Sequence, residues 1–430
     1  MNVHEIADLG SKRRRALFER DAGVESARED VREVVERVRE EGDVAVREFT
    51  EEFDDVSVGN LDVVAAAETA YEEEIGDELR DAIDEAVENV REFHERQVPE
   101  DWREEFSPGR ELGRRFRPLD RVGVYAPGGT AAYPSSAIMG VVPAKVAGVD
   151  QVAVATPPAE EMNPATLAAV HAAGADEVYQ VGGAQAIAAL AYGTESIPHV
   201  QKVVGPGSKW VTAAKAEVRG TVDIDFLAGP SEVLVLCDDT ADPDLVASEL
   251  VAQADHDPNA AVVAVTDDAD MADDVVDAVA KQVDGRERED TIRDALDNDA
   301  SAVLLGRSMS EAVLFANEYA VEHLVVLADD DEDLLARIDN AGSVFLGPNT
   351  PVAAGDYASG TNHVLPTNGG ARRYGGLSVD EFVRSTTVQR LDEDGLDDLA
   401  DTITTLAEAE GLEAHAESVR KRVDDDRDDD

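Results

Sequence analysis

The chain has 430 residues, and its 43% hydrophobic content is enough for one large or two medium-sized cores, so a globular protein with more than one α/β unit is expected. Its formal charge is -56, and the acidic residues are spread along the whole chain. Because no basic face is available for a phosphate backbone, this charge argues against a nucleic-acid partner.

Cysteine content and hydropathy indicate the compartment. Cys237 is the only cysteine, so neither an intramolecular disulfide nor a cysteine-based metal cluster can form. It follows the apolar run 233–236, which is typical of a small buried side chain. Residues 1–15 contain no apolar segment with a cleavage signal, and no run of about 18 apolar residues occurs. A cytoplasmic protein without membrane association is expected.

Residues 1–116 are predicted to form a helical N-terminal segment. Apolar residues recur there with helical spacing among many charges, as in 27–53 and 65–96. Such charge density is typical of solvated helices. The segment is therefore expected to be an exposed structural arm without a direct catalytic role.

Residues 117–230 are predicted to form a first α/β domain. Short apolar runs alternate with amphipathic stretches bounded by glycine and proline. The predicted strands are 122–125, 152–155, 178–181 and 203–204, and the predicted helices are 135–146, 164–173, 184–191 and 209–218. This βαβ series predicts a parallel sheet covered on both faces.

Residues 231–376 repeat the pattern and are predicted to form a second α/β domain. Its predicted strands are 233–236, 261–265, 302–305, 324–327 and 344–346, and its predicted helices are 244–254, 270–282, 310–318 and 332–340. Residues 377–430 return to amphipathic helices and end in an acidic tail, 424–430, that is expected to be disordered. The predicted fold is thus two tandem Rossmann-like parallel-sheet domains between helical segments.

Three glycine-rich turns follow strands of the first predicted sheet. They are Tyr125-Ala126-Pro127-Gly128-Gly129, Gly182-Gly183-Ala184-Gln185 and Gly205-Pro206-Gly207-Ser208. Strand ends of a parallel sheet share one rim, where ligands commonly bind, and the glycines allow close approach to a nucleotide. Each turn alone could be an ordinary turn. The standard Gly-x-Gly-x-x-Gly fingerprint is absent, since Trp210 stands in place of its last glycine.

A set of nitrogen and oxygen donors suits a zinc ion or a similar transition metal. Gln253 and His256 share one face at the end of a predicted helix. Asp356, in the polar loop that follows strand 344–346 and also holds His363, and His415 could complete the set. Spacing cannot demonstrate such a site, because the donors come from distant segments, and a helical histidine is more often a surface or core residue.

Glu322 and His323 are candidates for proton transfer at the start of strand 324–327. A histidine with a near-neutral pKa suits repeated proton transfer, and a carboxylate can activate water. Adjacent strand residues point to opposite faces, so only a loop or strand-start position would let both enter one pocket. A solvated glutamate beside a structural histidine remains the more common interpretation of this pattern.

Taken together, these residues resemble the histidinol dehydrogenase family from about residue 121 to residue 415. The most specific matches are 182–187 (GGAQAI), 228–233 (AGPSEV), 253–256, 317–324 and 341–367. The resemblance implies an aldehyde-dehydrogenase-like architecture and a cytoplasmic homodimer. It also implies a zinc enzyme that oxidises L-histidinol through an aldehyde to L-histidine with two NAD.

The resemblance also implies roles for individual residues. Position by position, the zinc ligands are Gln253, His256, Asp356 and His415, and the other substrate contacts are Ser231, His323 and Glu410. Glu322 and His323 are the implied proton-transfer residues, with His323 serving both oxidations and Glu322 activating water for the second. Tyr125 and Gln185 match NAD contacts. Ser208 stands where the family usually has asparagine, so this NAD contact is expected to be weakened, lost or bridged by water.

Three other functions stay open on the sequence. An aldehyde dehydrogenase would use Cys237 as a nucleophile through a thioester. A zinc hydrolase would act without NAD. A nucleotide-responsive binding protein would bind NAD without turnover.

The charge of -56 predicts adaptation to very high salt. Repulsion among the carboxylates is screened over roughly 3 Å at 1 M salt, against roughly 30 Å at 0.01 M. We expect the midpoint of thermal unfolding to rise as potassium chloride is raised from dilute to molar concentration, as followed by circular dichroism. Equal midpoints across that range would contradict salt adaptation.

Overall fold

A computed structural model describes residues 1–20, 23–128 and 133–424. The chain forms two compact units, one of Met1–Gln97 with Leu119–Phe382 and the other of Val98–Pro118 with Val383–Asp430. Gly129 of the first glycine turn and residues 425–430 of the predicted acidic tail lie outside the described residues. The four-segment division proposed from the sequence stays a prediction.

The strands of the described residues, in chain order, are β1 (Val3–Glu5), β2 (Trp102–Ser107), β3 (Arg110–Pro118), β4 (Arg121–Tyr125), β5 (Gln151–Thr156), β6 (Glu177–Gln180), β7 (Lys202–Val204), β8 (Asp223–Ile224), β9 (Glu232–Cys237), β10 (Ala261–Thr266), β11 (Ala302–Leu305), β12 (His323–Leu327), β13 (Ser343–Leu346) and β14 (Val383–Leu391). They form two parallel sheets and one antiparallel sheet.

The α-helices of the described residues are Ser11–Phe18, Val24–Glu41, Asp43–Asp54, Val64–Thr69, Asp77–Glu95, Pro134–Ala147, Pro164–Ala173, Gly183–Tyr192, Lys209–Val218, Pro243–His256, Ala269–Val283, Glu289–Asp297, Met309–Tyr319, Asp331–Leu335, Val352–Tyr357, Glu393–Ala409 and Glu413–Asp424. A π-helical turn at Ala70–Glu74 and short 3₁₀ turns at Ile6–Asp8, Gly370–Arg372 and Val379–Phe382 complete the set. Among the described helices, none combines the length and apolar character needed to cross a membrane.

The first parallel sheet has the strand order β6-β5-β4-β7-β8. Its central strands are apolar and buried on both faces, as expected when crossover helices cover a parallel sheet. Proline begins two of the crossover helices, and Gly148 and Gly174 end them with a φ of 89°. The βαβ series predicted for this region is confirmed, and β8 is an additional edge strand.

The N-terminal helices are part of this first core, so the prediction of an exposed arm is wrong. Val31, Val38 and Phe49 are buried in the same cluster as residues of the helix Gly183–Tyr192. The segment 27–53, which has helical spacing, is divided into two helices at Gly42, where a side chain would collide with Glu195. The segment 65–96 is likewise interrupted, between the π-helical turn and Asp77.

The second parallel sheet has the order β1-β11-β10-β9-β12-β13 and carries apolar clusters on both faces. The predicted strands are confirmed, while β1, from the presumed helical segment, pairs with β11 and was missed. The helix predicted at 332–340 ends at Leu335, and the helix Glu289–Asp297 was not predicted.

The second unit contains the antiparallel order β14-β3-β2, followed by the last two helices. Predicting helices throughout 98–116 and 383–391 is therefore wrong. These strands are rich in charge and largely exposed, so their sequence lacks the apolar alternation that identifies a half-buried strand. Their pairing partners are also far apart in the sequence.

Arg20 forms a fully buried ion pair with Glu232 at the start of β9. The Arg20 Nε lies 2.7 Å from the Glu232 Oε1, and the side-chain exposures are 3% and 0%. The guanidinium also lies over the Tyr319 ring, 3.9 Å from its centroid. Moving both charges out of water costs free energy, so the ion pair is stable only if each charge compensates the other.

We expect Arg20→Met to lower the free energy of unfolding by about 3–5 kcal/mol, because Glu232 would be left buried and unpaired. Combining it with Glu232→Leu removes both charges and should recover most of that loss. Urea denaturation in molar salt measures the free energy of unfolding of the wild type, the single variant and the double variant. A double variant no more stable than Arg20→Met would contradict the pairing argument.

Candidate active site and dinucleotide cavity

Glu322 and His323 meet at the start of β12. The strand pairs with β9 so that His323 lies opposite Val233, which brings both side chains to the neighbouring Glu232 peptide. The Glu232 N–H donates to the Glu322 Oε2 at 2.8 Å, and the His323 Nδ1 lies 3.2 Å from the Glu232 carbonyl oxygen. The two side chains are 3.5 Å apart, so the strand-start position does bring both residues into one site.

The hydrogen bond to the Glu232 carbonyl determines what the His323 ring can do. Because a carbonyl only accepts, Nδ1 carries the hydrogen and Nε2 is the atom available for proton transfer. Among the described residues Nε2 has no hydrogen-bond partner, and Asp356 Oδ1 lies 3.6 Å away. Burial opposes the charge on His323, but the Glu322 and Asp356 carboxylates outweigh it and raise its pKa to about 10.

Asp356 is carried by the short helix Val352–Tyr357, where the sequence predicted a loop without helical pattern. The Glu249 carboxylate accepts the N–H of Val352 at 3.0 Å and fixes the start of this helix. The pKa of Asp356 is lowered: burial would raise it, but the imidazoles of His323, His363 and His256 outweigh this effect. A carboxylate surrounded by imidazoles is a suitable place for a metal ion.

His363 belongs to the same environment, although no role was predicted for it. Its Nδ1 lies 2.9 Å from the Asp356 carbonyl oxygen, and its Nε2 lies 3.3 Å from the Ser136 hydroxyl. These contacts indicate that His363 supports the helix that carries Asp356.

The predicted metal ligands are divided between the two units. Gln253 and His256 lie in the last turn of the helix Pro243–His256, and His256 is close enough to Asp356 to influence its pKa. His415 lies in the second unit, in the first turn of Glu413–Asp424. Across the described residues, no three His, Cys, Asp or Glu side chains are grouped closely enough to hold a metal ion.

The donors of the first unit nevertheless fit a zinc ion in their chemistry. An amide oxygen, an imidazole nitrogen and a carboxylate oxygen form a nitrogen and oxygen set to which one further imidazole can be added. Glu410 and His415 are separated by the end of a helix: Gly411, with a φ of 74°, stops Glu393–Ala409 before the next helix begins.

Ser231 lies beside Glu322 in a small cavity of about 50 Å³, which His363 and Thr367 also line. This volume is enough for a water molecule, which occupies roughly 30 Å³ in the liquid. Glu322 therefore lines a space where water can be held. The structure thus places Ser231, Glu322 and a space the size of a water molecule together.

The three predicted NAD contacts line one large cavity of about 1610 Å³. Tyr125 ends β4, Gln185 lies in the first turn of Gly183–Tyr192, and Ser208 precedes Lys209–Val218. The N–H of Gly183 donates to the Tyr125 hydroxyl at 3.1 Å, and burial raises the pKa of that hydroxyl to about 12. The predicted rim of strand ends is thus a real cavity.

Some residues of the two sites were missed. Glu232 stands out in the sequence only as one charge in an apolar strand, and nothing in the sequence connects it with Arg20. Asp54 lines the large cavity but lies in the segment dismissed as an arm. Cys237, the alternative nucleophile, is fully buried, and burial raises its thiol pKa to about 12. A protonated, inaccessible thiol does not support thioester chemistry.

Comparisons with known proteins agree along the whole chain. A family model described as histidinol dehydrogenase matches residues 18–423. A histidinol dehydrogenase of Haloarcula marismortui is 74% identical over 424 residues, covering 99% of this chain and 100% of that protein. One from Methanosarcina mazei is 46% identical, covering 98% of each.

Solved structures agree with the fold. The crystal structure of histidinol dehydrogenase from Elizabethkingia anophelis has a TM-score of 0.94 and 36% identity, covering 99% of this chain and 98% of that chain. An apo betaine aldehyde dehydrogenase from Staphylococcus aureus has a TM-score of 0.50 at 12% identity, covering 88% and 85%, which indicates a shared fold alone. The aldehyde-dehydrogenase-like architecture predicted from the sequence is confirmed.

Proposed function

The chain belongs to the histidinol dehydrogenase family, and we propose that it oxidises L-histidinol through a bound aldehyde to L-histidine, using zinc and two NAD. The observation that carries this proposal is the convergence of Glu322 and His323 on the Glu232 peptide. That geometry supplies a carboxylate and an imidazole, side by side, for successive proton transfers.

In the first oxidation, His323 acts as the base. Its Nε2 takes the proton of the substrate hydroxyl while the carbon loses a hydride, which leaves an aldehyde. Bound NAD would accept the hydride in each oxidation. Nδ1 keeps its hydrogen and donates it to the Glu232 carbonyl oxygen, so the ring keeps its orientation while Nε2 gains and loses the proton.

In the second oxidation, Glu322 takes a proton from a water molecule that attacks the aldehyde carbon. The attack leaves the hydrate as an anion, which loses its remaining hydroxyl proton to His323 and a hydride from carbon, and this yields the carboxylate. The small cavity at Glu322 and Ser231 supports the placement of this water. Both oxidations then use one site, and the aldehyde need not leave it.

A zinc ion would be held by Gln253, His256, Asp356 and His415, and its chemistry would be to bind and orient polar groups of the substrate. Ser231, His323 and Glu410 would add substrate contacts. A base must be neutral before it accepts a proton, and Asp356 is one of the two carboxylates that keep His323 protonated. If Asp356 bound a cation, its carboxylate would stabilise the protonated form of His323 less.

The cavity lined by Tyr125, Gln185 and Ser208 is the proposed NAD site. Tyr125 and Gln185 are buried and fixed, whereas Ser208 offers one hydroxyl at the start of a helix. A homodimer in the cytoplasm remains part of the proposal, supported by resemblance to the family.

We expect His323→Asn to slow both oxidations by about 10²–10⁴-fold, because each uses the same base. Glu322→Gln should retain most of the first oxidation and lose the second by a similar factor. Initial rates of NADH formation from L-histidinol and from L-histidinaldehyde separate the steps. His199→Asn, which changes an exposed histidine of the first unit, is the control. Equal losses of both steps in Glu322→Gln would refute this division of roles.

A further inference from the structure

Asp356 is carried by a helix that depends on its neighbours for its position. The helix Val352–Tyr357 has six residues, whereas isolated helices shorter than about 12–15 residues are marginal in water. Its place in the fold is therefore set by contacts with other elements. Because Asp356 is a proposed zinc ligand and its Oδ1 lies 3.6 Å from the His323 Nε2, those contacts also set the geometry of the candidate site.

Glu249 provides the contact at the start of this helix. It is half-buried in the helix Pro243–His256, and its Oε2 accepts the N–H of Val352 at 3.0 Å. The first N–H groups of a helix have no acceptor within the helix, and the side chain of Pro351, which precedes it, offers none. The Glu249 carboxylate therefore takes the place of a capping side chain, from a separate element.

The helix that carries Glu249 also carries two of the proposed zinc ligands. Glu249, Gln253 and His256 are spaced i, i+4 and i+7, so they share one face of that helix. The hydrogen bond to Val352 thus joins the element with Gln253 and His256 to the element with Asp356. The relative position of these three donors depends on how the two helices meet.

Two further contacts hold the short helix from other directions. A Cβ at Gly355 would lie 2.7 Å from the Cε1 of Phe345, so the backbone packs directly against that ring. At the end of the helix, the Asn89 Nδ2 donates to the Ala358 carbonyl oxygen at 2.8 Å. Neither contact comes from the element that carries the other two donors, so neither can replace the hydrogen bond at Val352.

We propose that Glu249 is a positioning residue, which holds Asp356 where it can bind a zinc ion together with Gln253 and His256. The inference rests on the proposed zinc-dependent function. Glu249 acts here through the backbone of the Asp356 helix and not as a ligand of the metal. Its contribution is an acceptor oxygen and not a negative charge, because the group that it holds is a neutral N–H.

The surroundings of Glu249 agree with this role. Burial raises the pKa of Glu249, against the opposing effect of the hydrogen bond from Val352, and the charges of Asp356 and His323 also act on it. Glu249 is thus close to the candidate site, in a place that disfavours its charged form. A carboxyl group in either protonation state retains an oxygen that can accept the Val352 N–H.

The test is the zinc affinity of the full-length protein, measured by competition with a chromogenic chelator in molar salt. Glu249→Leu removes the acceptor and should weaken zinc binding about 10–100-fold, as is typical when a residue that orients metal ligands is lost. Glu249→Gln keeps an acceptor oxygen and should bind zinc as tightly as the wild type. An equal loss in Glu249→Gln would overturn the proposal, since the charge or direct ligation of the metal would then be responsible.

Val352→Pro tests the same hydrogen bond from its donor side. Val352 is the first residue of its helix, where proline is favoured, and the ψ of 154° at Pro351 suits a following proline. The substitution removes the N–H and should weaken zinc binding by the same factor as Glu249→Leu. Val352→Ala shortens the buried side chain but keeps the N–H, so its zinc affinity should equal that of the wild type.

The double variant, Glu249→Leu with Val352→Pro, shows whether the two changes act on one interaction. Because both remove the same hydrogen bond, the zinc affinity of the double variant should equal that of either single variant. Losses that add would mean that Glu249 and Val352 affect the metal independently, which would contradict the proposal.

Glu195→Leu is the matched control for a general effect of losing such a hydrogen bond. The Glu195 Oε2 accepts the N–H of Asp43, the first residue of the helix Asp43–Asp54, at 2.9 Å. The substitution therefore removes the same kind of contact from a helix that carries none of the proposed zinc ligands. Its zinc affinity should equal that of the wild type. Equal weakening in Glu195→Leu and Glu249→Leu would identify a general structural effect and overturn the proposal.

The visible absorption of the cobalt(II)-loaded protein adds a readout that a loss of stability alone would not change. The bands of cobalt(II) depend on the geometry of its ligands. They should change in position or intensity in Glu249→Leu and in Val352→Pro, and should match the wild type in Glu249→Gln. A wild-type spectrum in Glu249→Leu would mean that the ligands keep their places without the hydrogen bond, which would overturn the proposal.

Two results distinguish the inference from the function on which it rests. If the wild type binds zinc and Glu249→Leu binds it equally tightly, only the positioning role is wrong. If the wild type does not bind zinc, the zinc-dependent function itself fails, and the inference fails with it.

Discussion

The site depends on one fully buried glutamate at the start of a central strand. The Glu232 side chain is compensated by Arg20 and accepts the N–H of Asn368 at 2.7 Å, while its peptide group is shared between Glu322 and His323. The N-terminal segment, the second sheet and the loop after Thr367 therefore meet at one residue. The relative position of Glu322 and His323, the two proposed proton-transfer groups, depends on backbone that an ion pair and three strands hold in place.

Buried ion pairs support both the candidate active site and the large cavity, although the chain as a whole is strongly acidic. In the first sheet, Lys215 and Asp225 form a second buried pair. The Lys215 Nζ donates to the Gly205 carbonyl, and Asp225 accepts the Gly205 N–H, which fixes the turn before Ser208.

The sequence predicted what local patterns determine. Continuous apolar runs located the parallel strands, and because strand ends of a parallel sheet meet at one rim, Tyr125, Gln185 and Ser208 could be expected in one cavity. Proline and glycine at helix ends marked the crossover helices. Predicting that Glu322 and His323 enter one site required only that they lie at the start of a strand.

The sequence could not predict what depends on distant partners. The N-terminal helices look solvated because charges dominate their exposed faces, yet their apolar faces complete the first core. The antiparallel strands of the second unit are exposed and lack alternation. The six-residue helix that carries Asp356 is too short to show a period, and the Arg20–Glu232 pair has no local signature.

The central claim is that one site, organised around the Glu232 peptide, carries out both oxidations without releasing the aldehyde. The most direct measurement is the number of NADH molecules formed per L-histidinol consumed, with a trapping reagent for free aldehyde present. The account predicts a ratio of two and no trapped aldehyde. A ratio of one, with the aldehyde captured in solution, would contradict it.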